Sequence, residues 1–123
     1  MQFRATLPDA ELRRALADQV NAIRAHKLQE QIEYDGRLYD IDAQSVANLT
    51  AKVSAIATGI PIGITVWRDA DNEEVEHSEE SLVGLAAVVI ARNQTIYTAS
   101  FTLKRAIAEA QDPSTVNLQA GWP

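Results

Sequence analysis

The chain has 123 residues, 46% of them hydrophobic and 23% charged, with a net charge of −6 and no cysteine. That length suffices for one domain with its own core, and the missing cysteines exclude disulfides, thiolate catalysis and thiolate metal sites. The eleven basic residues are scattered among seventeen acidic ones, so no clustered cationic surface is available for nucleic acid.

The chain is expected to form an α+β fold of three helices, the last one long, with two short antiparallel β-hairpins between them. It reads as one domain over residues 1–123, with a lead-in over 1–8 and an extended tail over 114–123. Pro8, Asp9 and Glu11 suit the start of a first helix, along which Leu12, Leu16, Val20, Ile23 and Lys27 recur at spacings of three and four. Asp35-Gly36 is the strongest local signal: a two-residue type I′ turn needs positive φ at both centre positions. Closing a ladder on it pairs Tyr34 with Arg37 and Ile32 with Tyr39. Ile32, Tyr34, Tyr39 and Ile41 then share one face, and Leu38 falls on the other.

Asp42 is placed to cap a second helix over 43–58, whose Val46, Leu49, Val53 and Ile56 form one stripe. Gly59 and Pro61 end it. Residues 63–68 and 73–77 read as a second strand pair, its acidic second strand an edge. Ser78 caps the last helix, with Glu79 and Glu80 in its first turn. Leu82, Leu85, Val89, Arg92, Ile96, Ala99, Leu103, Ala106 and Ala110 make its main stripe, until Asp112-Pro113. The element order hints at a duplicated helix–hairpin unit, without sequence identity between the hairpins.

At 1.5 Å per residue the last helix would measure roughly 48 Å, against about 35 to 40 Å for the diameter of a compact chain of this length. Either it breaks near Thr95-Ile96 or it projects and is covered by another chain. Ile90, Tyr97 and Phe101 form a second apolar strip, and with Trp122 they are the candidate interaction surface, homo-oligomers being the default partner. Arg92 interrupts the main stripe, either in the manner of a register-setting polar residue or at the point where the stripe rotates to solvent. No apolar run reaches membrane-span length, the longest being Leu82 to Ala91 with Gly84 inside it. Met1 to Leu7 lacks a signal pattern. The expectation is a soluble chain made in the cytoplasm, with no membrane insertion.

No catalytic, cofactor-binding or metal constellation emerges, so the expectation is a non-enzyme with no cofactor. Asp69, Asp71, Glu73 and Glu80 fall at calcium-loop positions one, three, five and twelve, but Glu74 stands where the loop needs Gly. His26 and His77 lack a second imidazole at ligand spacing. Asp35, Asp40 and Asp42 supply carboxylates, with Asp35 and Asp42 already used in a turn and a cap.

The Asp35-Gly36 hairpin running into Leu38-Tyr39-Asp40-Ile41-Asp42, Gly59-Ile60-Pro61 before a strand with Trp67, the Asp71-Asn72 turn, the long alanine-rich helix and the closing Ala120-Gly121-Trp122-Pro123 together resemble a small domain of unknown function. That domain is found in tailed-bacteriophage tail and tail-fibre-associated proteins. The resemblance covers roughly residues 10–123 and implies a structural or interaction protein of tail or tail-fibre assembly. Its partners would be its own copies, a tail-fibre protein or a baseplate protein. It would be made in the host cytoplasm and carried in the virion. Alternatives are a fibre-assembly chaperone absent from the mature particle, or a host-surface carbohydrate binder stacking sugars on Tyr34, Trp67 and Trp122.

Overall fold

A computed structural model of the chain describes residues 8–123; the expected N-terminal lead-in lies outside them except for Pro8. The elements in chain order are α1 (Asp9–Lys27), β1 (Ile32–Tyr34), β2 (Arg37–Tyr39), α2 (Ala43–Ala57), β3 (Thr65–Arg68), β4 (Glu74–His77) and α3 (Glu79–Glu109), followed by a 3-10 turn over Pro113–Thr115. This is the expected α+β arrangement, with two two-stranded antiparallel sheets between the helices.

Local chemistry explains most boundaries. Asp35 and Gly36 both take positive φ, and the ladder they close pairs Ile32 with Tyr39 and Tyr34 with Arg37, as a type I′ turn dictates. Ile32, Tyr39 and Ile41 are buried, whereas Leu38 is exposed. The Asp42 carboxylate accepts from the Ser45 N–H at 2.7 Å, and that backbone bond holds it below the usual carboxylate range. Asp42→Ala is expected to lower the melting temperature by on the order of 5 °C, read by circular dichroism.

The C-terminus of α2 closes with two backbone bonds, Gly59 N–H to Ile56 O and Ile60 N–H to Ala55 O. Gly59 is at φ +84°. Those are the two bonds of a Schellman cap, which requires a left-handed residue at Gly59. Ser78 caps α3 through its hydroxyl, which accepts from the Ser81 N–H. α3 then runs unbroken through Thr95-Ile96. By length and composition it is long and apolar enough to cross a membrane, although no single uninterrupted apolar run within it reaches that length. Its Leu82, Leu85 and Val89 are buried in a protein core.

The described residues cluster into two compact units. The first contains residues 8–27 and Gln94–Pro123. There Val20, Leu103 and Ile107 are buried, with Leu16, Val116, Leu118 and Trp122 packed on them. Arg13 of α1 donates to the carbonyls of Ile107, Ala108 and Ala110, acceptors that a helix C-terminus leaves without intrahelical partners. The C-terminal segment is not extended throughout. Asp112 caps the 3-10 turn, and the Trp122 indole N–H donates to Leu118 O at 2.8 Å.

The second unit, residues 28–93, holds both hairpins, α2 and the N-terminal part of α3. Ile32, Tyr39, Ile41, Leu49, Leu82, Leu85, Ala86 and Val89 form its core. Each fully buried Leu or Val contributes about 1.5–3 kcal/mol by leaving water. Arg92 is half-buried and turned onto the protein. Its guanidinium donates to Leu28 O and Glu30 O, fastening the segment that follows α1.

Candidate functional site

Of the four residues nominated from sequence, Tyr97 and Phe101 come together. One turn apart on α3, their ring centroids are 6.1 Å apart at 44°, and they are 39% and 53% exposed. From α1, the Arg24 guanidinium lies over the Tyr97 ring at 5.0 Å, a cation–π contact that fixes the ring's orientation. Arg24 also donates to the Ser100 hydroxyl. Ser100 is fully buried and donates to Tyr97 O at 2.8 Å. The pair is therefore preorganised and yet open to solvent. Sequence reasoning missed Arg24, because a cation on a charged helix carries no local sign that an aromatic ring lies beneath it.

Ile90 is 56% exposed and belongs to the second unit. It borders an apolar depression of about 240 Å³ between α2 and α3, with Val46, Val53, Ala86 and Val89 in its walls. Trp122 does not join the surface. It is half-buried against the Val20–Leu103–Ile107 cluster and serves to dock the C-terminal segment.

The aromatics considered for sugar stacking also have other roles. Tyr34 donates to Ser81 O at 2.9 Å, and Trp67 packs on the core of the second unit. In the calcium-like loop, Asp69 is buried and its oxygens are taken up within the protein. One accepts from the Asp71 and Glu73 N–H groups, and the other pairs with Arg37 at 2.8 Å. The Glu73 backbone bond is the largest influence holding this carboxyl below its ordinary range.

The remaining polar constellation surrounds His77, which is 3% exposed. Its Nδ1 is 2.8 Å from the Ser81 hydroxyl and its Nε2 is 3.1 Å from the Tyr39 hydroxyl. The Tyr34 ring stacks at 6.4 Å. Burial pushes the imidazole pKa down, opposed by the Asp35 charge, and burial pushes the Tyr39 phenol up. A hydroxyl on each ring nitrogen satisfies a neutral imidazole, which joins both hairpins to the first turn of α3.

An unfolded histidine titrates near about pH 6.5, and folded His77 takes up its proton only at lower pH. Stability attached to neutral His77 is full above that pH. It declines as the unfolded chain protonates first and is lost below the folded pKa. Unfolding free energy measured by urea should therefore begin to fall as the pH drops below about 6.5, ahead of any carboxylate contribution. His77→Gln should flatten that slope, and an unchanged slope would remove His77 from this role.

Residues 11–120 match the family model described as Domain of unknown function (DUF4376). The chain belongs to that family. No curated protein and no solved structure matches it. The DUF4376 match covers both hairpins, α2, α3 and all but the first residues of α1, so both compact units belong to the family's domain.

Proposed function

We propose that this DUF4376 chain is a non-enzymatic interaction protein of tailed-phage tail or tail-fibre assembly, acting through the outward face of α3. One observation carries the interaction reading: the Tyr97–Phe101 pair is ordered by Arg24 yet left open to water. Exposed aromatic pairs of this kind are enriched where proteins bind each other. The tail setting is supported by the order of motifs from Asp35-Gly36 to the final Gly121-Trp122-Pro123. The partner is a second copy or a fibre or baseplate protein.

Changing Tyr97 and Phe101 together to Ser should lower the oligomeric mass in light scattering while helical circular dichroism is retained. A wild-type chain that is monomeric at high micromolar concentration would rule out self-association. Unfolding of the double variant would return both rings to an ordinary core. Mass spectrometry of purified particles tests the setting: a stoichiometric presence marks a virion component. Absence from particles, with co-purification of the fibre protein from infected cells, marks an assembly chaperone.

A further inference from the structure

The second hairpin has two unlike edges. The outer edge of β4 carries Glu74 and Glu76, charges that guard an edge strand against foreign pairing. β3 has no such guard at its start: Ile64, just before it, is 68% exposed and Val66 53%. The backbone parity of β3 can be read from its register. Thr65 faces His77, Trp67 faces Val75, and in the continuation of that ladder the Asp69 N–H donates to Glu73 O at 3.0 Å. Bonded and non-bonded pairs alternate in an antiparallel ladder. Thr65 and Trp67 therefore turn their backbone groups toward β4, and Val66 and Arg68 turn theirs away.

The next outward group, the Ala70 N–H, donates to Leu38 O of β2 at 2.8 Å, so an extended segment already bonds this edge at one point. Beyond it the edge of β3 opens onto a groove of about 730 Å³. Ser45, Asn48, Ala51 and Lys52 of α2 form the facing wall. Val66 and Arg68, whose two N–H and two C=O groups face away from β4, also line this groove, and no protein partner for those groups is found among the described residues. Lys52 likewise has no ion pair among the described residues, whereas Arg68 is paired with Glu74 at 3.1 Å.

We propose that this groove binds one extended, acidic segment of a partner protein, added as a third strand beside β3. Strand addition satisfies the Val66 and Arg68 backbone groups, and side chains of the incoming strand give it specificity. Lys52, half-buried in the facing wall, selects a carboxylate. A second copy of this chain is the poorer fit. Its β3 would bring β4 behind it, and its β4 would bring β3, roughly another 4.8 Å of sheet toward α2. The site is separate from the Tyr97–Phe101 surface and does not depend on it.

The test uses the full chain and a capped heptapeptide of alternating Thr and Val with a central Glu, followed by amide hydrogen exchange in NMR. At millimolar peptide the Val66 and Arg68 amides should slow by about tenfold or more, with those of Thr65 and Trp67 unchanged. Methylating the alternate peptide nitrogens that face β3 should abolish the effect. A Lys-centred peptide should bind more weakly, and Lys52→Glu should reverse that order. Four results would each overturn the proposal: no slowing, equal binding of the methylated peptide, amides already slow in dilute protein alone, or slowing that grows with protein concentration without peptide. The last would assign the edge to a second copy.

Discussion

Gly84→Leu is expected to cost about 3 kcal/mol of unfolding free energy, at the upper end of ordinary overpacking. A Cβ built at Gly84 meets the Tyr34 hydroxyl, with the ring behind it, and that hydroxyl is held by Ser81 O. Leucine has no room beside the ring, so the first hairpin must move away from α3. Alanine is the informative contrast. Gly→Ala inside a helix ordinarily gains about 1 kcal/mol, but here Tyr34 must give up a hydrogen bond worth about 1 kcal/mol. Gly84→Ala should thus be close to neutral in urea denaturation, and the gain should reappear in a Tyr34→Phe background. A full gain in the wild-type background would show that Tyr34 does not occupy the gap.

Arg13→Ala should destabilise the first unit by about 2 kcal/mol, since hydrogen bonds made by a charged donor are worth more than neutral ones. One guanidinium serves three carbonyls at the end of α3 while its Nε pairs with Asp9 at 2.7 Å. Arg13→Lys should recover little, because a single ammonium cannot reproduce the fork. Amide exchange over the last turn of α3 is the direct readout. A Lys variant as protected as the wild type would sink this account.

What the sequence discloses and what it hides divide along the range of the interaction. The turn at Asp35-Gly36, the strand register, the Asp42 and Ser78 caps and the Gly59 stop are all set by residues within a few positions of each other. The stripe Leu82–Leu85–Val89–Ile96–Ala99–Leu103 is periodic, and all six residues are buried. By contrast, Gly84 beneath Tyr34, Arg13 on the end of α3, Arg24 over Tyr97 and the Tyr39–His77–Ser81 relay each join segments that only the tertiary fold brings together. Nothing in local spacing marks them. Trp122 shows the same divide. A terminal tryptophan is equally suited to a surface or to a docked tail, and the neighbouring Val20 and Ile107, which decide the matter, are far away in sequence.

Arg13 and Arg92 share a property with consequences for how this family can vary. Both clamp main-chain carbonyls: Ile107, Ala108 and Ala110 for one, Leu28 and Glu30 for the other. A carbonyl is supplied by any residue. Across relatives that keep the fold, the two arginines should therefore stay fixed while the residues whose carbonyls they grip drift freely, so that neither clamp has a covarying partner at its carbonyl end. Methods that infer contacts from paired substitutions would be blind to both clamps, although each joins segments more than sixty positions apart.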